Sequence, residues 1–324
     1  MRILVYGAGV IGSMFAAKLA LSGQDVTVLA RGTRLAEIQS QGLRLIDAQS
    51  GRQDTVRIHT IGALSPDDSY DFVFVVMQNS QVQAVLPRLA ANCSKNVVFV
   101  VNTAAGYAEW QRAIGKERVL VGFPSAGGER KNGVVSYFVG RGAVRLFQTT
   151  TFGEPDGTRS LRAAALVAMF RKAGIPSVFC KNMDAWQKTH VAMVTCIANA
   201  LYGAQCDHKR LAASKADIRR MVLGVKEGFA VLNRIGIRVI PFKLNFWMLP
   251  TGLLTFVFRR VMNTPLADLT MAKHSAVAHA EMLALQGEFD LLIKKSGLRT
   301  PNIDQLRKNL IEYTLNSDKG DIVK

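Results

Sequence analysis

The chain has 324 residues, of which 49% are hydrophobic and 20% charged, enough for two globular domains with separate cores. The formal charge of +17 comes without a helix-turn-helix, zinc module or basic-aromatic array, which argues against nucleic acid and for small anionic substrates and a phosphorylated cofactor. Cys93, Cys180, Cys196 and Cys206 lack metal-ligand spacing, and no basic leader with a cleavage site precedes the first apolar run. The expectation is a cytoplasmic protein with reduced thiols, no bound metal and no membrane partner.

Along the chain, strand and helix signals alternate. "RILVYG" reads as a strand, "GSMFAAKLALSG" as a helix, and "DVTVLA", "DFVFVVM" and "NVVFVVN" as further strands. "SQVQAVLPRLAANC" between the last two reads as one helix. "RVLVGFPSAGG" adds a strand and loop, and "GVVSYFVGRGAVRLFQTTTFGEP" a strand-rich extension, antiparallel in part. "SLRAAALVAMFRKAG" and "PSVFCKN" complete the first half. From Asp184 the pattern turns to long helices, broken at "GIRVIPFK", "LPTG" and "GLRTP", with a loose tail "NSDKGDIVK". The longest apolar stretch, Phe246 to Phe258, holds Pro250 and Gly252 and is too short to span a bilayer. It is expected to be core or the contact of a homodimer. The fold class is thus an α/β Rossmann-type dinucleotide-binding domain, residues 1–183, followed by an all-α C-terminal domain, residues 184–324.

The first strand leads into Gly7-Ala8-Gly9-Val10-Ile11-Gly12, a G-x-G-x-x-G motif at the start of a helix. The glycines permit a tight turn, close approach of a pyrophosphate, and close helix–strand packing, and the helix N-terminus offers amide donors. An NAD site usually carries Asp or Glu after the second strand, to accept from the ribose 2′-hydroxyl. This sequence has Arg31 there, with Arg34 close behind, which suits a 2′-phosphate and so NADP(H). Two later strands end in polar residues, Gln78 with Asn79, and Asn102. In an open parallel sheet the ligand lies beyond such strand ends, so Gln78 and Asn102 are candidate cofactor contacts.

The second half opens with "MDAWQKTHVAMVTCIANALYG". On a helix Lys188, Ala192, Thr195 and Asn199 share one small, polar face suited to the border of a cleft. His190 falls nearly opposite, with Val194, Ile197 and Leu201, and reads as a packed histidine.

Taken together, "GAGVIG", Arg31, Asn102, "AWQK" and "HAEM" ahead of "SGLRTPNIDQL" resemble the ketopantoate reductases (2-dehydropantoate 2-reductases) over nearly the whole chain. The resemblance implies NADPH-dependent reduction of a 2-oxo acid to a 2-hydroxy acid, with the active site between the two domains. It implies that Lys188 is the general acid, that Asn102 helps place the nicotinamide and the lysine, and that Glu281, followed by Gly297 and Pro301, holds the substrate hydroxyl. Thr270 and His274 share a helix face with Glu281 and join Thr195 and Asn199 as candidate substrate contacts. The sequence departs from the pattern at Gln78, where a lysine is implied, and at Ala192 and Cys196, where asparagines are implied. The implied serine near Leu269 is also missing. These departures point to a 2-oxo acid or related ketone larger or less polar than ketopantoate, over a pocket lined by Ala192, Thr195 and Cys196. They also keep open a second class, a non-catalytic NADP(H)-binding protein that senses redox state.

Overall fold

The computed structural model describes all residues except 141–148, 265, 266, 268–270, 273, 274, 277 and 321–324. The chain divides into two compact units. One comprises Met1–Asn102 and Gly106–Met183; the other comprises Asp184–Lys324 together with the short segment Thr103–Ala105.

The first unit is built on an eight-stranded sheet. In chain order its strands are β1 (Arg2–Tyr6), β2 (Asp25–Leu29), β5 (His59–Ile61), β6 (Phe72–Val75), β7 (Val97–Val100), β8 (Val119–Phe123), β11 (Thr150–Gly153) and β12 (Ser177–Phe179). Their spatial order is β12-β11-β8-β7-β6-β1-β2-β5. Every pairing is parallel except β11 with β8. The central strands are short runs of Val, Ile, Leu and Phe, because both faces of a parallel sheet are covered. The six strands from β5 to β8 follow the doubly wound order, whose direction reverses between β1 and β6.

A second, four-stranded sheet runs β4-β3-β10-β9, from β3 (Leu43–Asp47), β4 (Gln53–Val56), β9 (Ala126–Lys131) and β10 (Val134–Val139). Helix α1 (Val10–Leu21) packs on β1 and β2 of the large sheet and on β3, β4, β9 and β10 of the small one. That double cover is why it is apolar around most of its circumference, with Met14, Phe15, Ala16 and Leu19 buried. The strand-rich extension is therefore divided: β10 pairs antiparallel with β9, and β11 joins the large sheet. Helix α2 (Gly32–Gln41) follows β2. The single helix expected over "SQVQAVLPRLAANC" is two, α3 (Asn79–Val82) and α4 (Leu86–Ala91). Pro87 at the start of α4 has no N–H for a preceding helical turn, so the chain restarts there. Helices α5 (Ala108–Ile114) and α6 (Leu161–Lys172) complete the unit, the latter capped by Ser160, whose Oγ accepts from Ala163 N at 3.1 Å.

The second unit is helical: α7 (Met183–Gly203, from the unit boundary), α8 (His208–Ala213), α9 (Lys215–Arg234), a 3-10 turn (Phe242–Met248), α10 (Thr251–Met262), α11 (His279–Ser296) and α12 (Pro301–Gly320). The "GLRTP" break is a C-terminal glycine followed by an N-terminal proline. Gly297 takes a left-handed φ of 68° after α11, and Pro301 opens α12. Helix α12 continues to Gly320, so most of the tail expected to be loose is helical. The stretch Phe246 to Phe258 is one-sided rather than wholly buried. Trp247, Leu254 and Phe258 enter the helical core, while Phe246, Met248, Leu253 and Phe256 are exposed. No helix among the described residues is long and apolar enough to cross a membrane.

Candidate active site

The glycine turn lies where the sheet order reverses. Gly7 has φ +122°, and a Cβ there would come within 2.3 Å of Val76 O, just after β6. A Cβ on Gly12 would stand 1.9 Å from Gly7 O. Both positions therefore exclude side chains on internal grounds. Gly9 differs: a Cβ built on it would meet nothing within 4 Å. Its bare backbone caps α1 at a free surface, with the amides of Val10 and Ile11 behind it, and Ala8 is buried beneath. That space is the cradle a pyrophosphate requires, so the residues present fit a dinucleotide.

The two arginines after β2 part company. Arg31 is the exposed N-cap of α2, and its guanidinium has no hydrogen-bond or ion-pair partner among the described residues. The Arg34 side chain is only 10% exposed. It donates from Nε to Ala8 O (3.2 Å), from Nη2 to Ser13 Oγ (3.0 Å) and from Nη1 to Gly133 O (3.2 Å), and pairs with Glu37 at 2.9 Å. Arg34 thus props the glycine turn from within the unit, and Arg31 is the arginine left for a ligand.

Beyond β6, Gln78 is the half-buried N-cap of α3 and makes no side-chain capping bond. Beyond β7, Asn102 is half-buried, and its Oδ1 is fully buried with no hydrogen-bond partner among the described residues. Asn102 thus presents a buried acceptor without a partner at the carboxyl end of a central strand.

In the helical unit, Lys188 is 13% exposed and its Nζ donates to Asp184 Oδ1 at 2.6 Å and Oδ2 at 2.5 Å, one turn earlier on α7. His190 stacks on Trp186 with ring centroids 5.6 Å apart. The small face of α7 is not a cleft border. Ala192, Thr195, Cys196 and Asn199 are all at most 1% exposed. A Cβ at Gly228 of α9 would lie 3.2 Å from Ala192 Cβ, and one at Gly224 would lie 3.2 Å from Cys196 Sγ. The small residues on both helices let α7 and α9 approach closely, and the pocket expected over Ala192, Thr195 and Cys196 is corrected to packed core. Thr195 Oγ1 donates back to Val191 O at 2.8 Å. Asn199 Nδ2 donates to Gln286 Oε1 (2.9 Å), and Gln286 Nε2 to Asp290 Oδ1 (2.9 Å), which opens a polar network inside the bundle. Burial pushes the Cys196 thiol up to about 12, which removes it as a reactive thiolate. Burial likewise raises Cys206.

Glu281 sits in the first turn of α11, largely buried, and its desolvation raises the carboxyl above its ordinary value. Thr270 and His274, together with Leu269, lie outside the described residues. No cluster of His, Cys, Asp or Glu among the described residues could hold a metal ion. One carboxylate escaped the sequence reading: Glu288, two turns after Glu281 on α11. Its Oε2 accepts from Thr103 Oγ1 (2.8 Å), Ala104 N (2.5 Å) and Ala105 N (3.1 Å). The contact joins positions 185 residues apart, so no local pattern announces it.

Residues 3–150 match the family model described as Ketopantoate reductase PanE/ApbA. A 2-dehydropantoate 2-reductase of Mesorhizobium japonicum is 28% identical over 201 residues, covering 54% of this chain. That match spans only 58% of the relative's own length. The fold is similar to the structure of a 2-dehydropantoate 2-reductase from Geobacter metallireducens, at 18% identity and TM-score 0.78, covering 96% of this chain and 99% of that one. It is similar also to D-mandelate dehydrogenase in a ternary structure with NADH and anilino(oxo)acetate, at 16% identity and TM-score 0.77, covering 97% and 98%. Over residues 3–150, somewhat less than half of its length, the chain is thus similar to the ketopantoate reductases.

Proposed function

We propose that the protein reduces a 2-oxo acid or a related ketone to the hydroxy product, with NADPH as reductant. The observation that carries this reading is the pairing of an open glycine turn with an unpartnered guanidinium at Arg31, in a domain similar to a reductase family. Gly7 and Gly12 hold the turn, Gly9 leaves room for the pyrophosphate, and the amides of Val10 and Ile11 face it at the start of α1. Arg31 binds the 2′-phosphate by a charge-assisted contact, which an acidic residue in its place would oppose. Bound NADPH supplies the hydride. Asn102 uses its unsatisfied Oδ1 to accept from a donor on the cofactor or substrate, and Gln78 borders the same strand ends.

Lys188 supplies the proton to the carbonyl oxygen and offsets the charge that develops there. Asp184 holds the ammonium at the first turn of α7 until a substrate oxygen competes for it. Glu281, its carboxyl raised by burial, hydrogen-bonds the substrate hydroxyl. The named relatives act on, or bind, 2-oxo acids of different size: 2-dehydropantoate reductases on one side, and a mandelate dehydrogenase with an aryl oxo acid on the other. The decisive assay follows NADPH absorbance with a panel of 2-oxo acids and ketones that includes ketopantoate and aryl oxo acids. The expected result is saturable oxidation with at least one of them. NADPH binding without turnover on any would favour the non-catalytic redox-sensing class instead.

A further inference from the structure

The loop that leaves β7 contributes Asn102 to the sheet-based unit and its next three residues to the helical unit. Those three residues are gathered on one atom. Glu288 Oε2 accepts from the Thr103 hydroxyl and from the Ala104 and Ala105 amides, and Ala105 N also approaches Thr103 Oγ1 at 3.0 Å. Thr103 and Ala104 are buried, at 2% and 1% exposed, and Ala105 is exposed, so removing the carboxylate deprives two buried donors of their acceptor. Two consecutive amides and a hydroxyl converging on a carboxylate oxygen form charge-assisted bonds that fix backbone direction as well as position. The peptide bond that begins at Asn102 is therefore held at its far side, while β7 holds it at the near side. On α11, Glu288 lies seven residues after Glu281, on the same helix face.

We infer that Glu288 is a positioning residue: it pins Thr103–Ala105 to α11 and so sets where the Asn102 side chain points toward a bound nicotinamide. The inference rests on the reading of Asn102 as a ligand-facing acceptor. Glu288 itself touches neither substrate nor cofactor in this role.

The test pairs an exchange measurement with kinetics on the full chain. In Glu288→Ala, hydrogen exchange of the peptide carrying Ala104 and Ala105 is expected to accelerate at least about tenfold. Its kcat should fall about 10- to 100-fold, in line with a small displacement of a reacting group, while the Kd for NADPH stays within about threefold of the parent. Glu288→Gln keeps an acceptor oxygen in place and should recover most of the kcat. A merely structural role would lower the melting temperature of both variants and leave kcat per folded molecule unchanged. Unaltered exchange in Glu288→Ala overturns the pin, as does accelerated exchange with an unaltered kcat. If Glu288→Ala does not fold, Glu288→Gln, whose neutral oxygen accepts more weakly than a carboxylate, must still show a smaller acceleration of exchange at these two amides, and equal exchange overturns the inference. A parent that binds NADPH but turns over no oxo compound would sink the reductase reading alone, because the exchange result stands independently of turnover.

Discussion

The two units carry their chemistry in different ways. In the sheet-based unit the candidate site is framed by backbone, a turn held by Gly7 and Gly12, a helix N-terminus, and the carboxyl ends of β1, β2, β6 and β7, to which Arg31 and Asn102 add side chains. In the helical unit the candidate site is made of side chains projected from long helices, where neighbouring positions serve packing. The small face of α7 shows the difference. Ala192 and Cys196 replace polar residues that the family resemblance implies, and the structure uses them to bring α7 against Gly224 and Gly228 of α9. A small residue on a helix suits a cleft and a close crossing equally well, and only the partner helix decides.

The largest test of this contrast is Lys188→Ala. Loss of a general acid and of a charge at the developing alkoxide should lower kcat about 10³-fold, with NADPH affinity within about twofold, read by steady-state kinetics and by cofactor titration. Unchanged turnover would remove Lys188 from the chemistry. Next in size is Arg31→Ala, which should weaken NADPH about 10- to 100-fold and leave NADH within about threefold. Equal losses for both cofactors would mean that Arg31 does not read the 2′-phosphate.

Ala192→Asn sharpens the comparison from the other side. If position 192 is packed core, inserting an amide against Gly228 should cost about 2–3 kcal/mol in denaturant unfolding. If it lined an open cleft, the cost would stay within about 0.5 kcal/mol. The smallest effect concerns Glu281. Burial raises its carboxyl, so the folded chain favours the neutral form. The stability this contributes is fully present below the ordinary carboxylate value, about 4.3, and is lost as the pH rises through the folded value. Glu281→Gln stays neutral, so it should melt about 1–3 °C above the parent near about pH 8, with the gap closing on acidification toward about pH 4. A gap that widens on acidification would contradict the sign.

The central strands of the large sheet and the glycine turn were legible because both are written locally, as buried apolar runs of four or five residues and as a motif with fixed spacing. The small sheet was not, since β3 and β4 are short, half-polar strands and β10, the other neighbour of β3, lies some ninety residues further on. Arg31 and Arg34 look equivalent in sequence. They separate only because Arg34 reaches Ala8, Ser13 and Gly133, contacts set by how α2 lies beside the glycine turn. Glu288 reads as an ordinary helix charge until the β7 loop is placed against it.

The account turns most directly on a calorimetric titration of the purified chain with NADPH and, in parallel, with NADH. It predicts a saturable NADPH isotherm at least about tenfold tighter than that for NADH. No heat with NADPH, or NADH binding as tightly or more so, would contradict it.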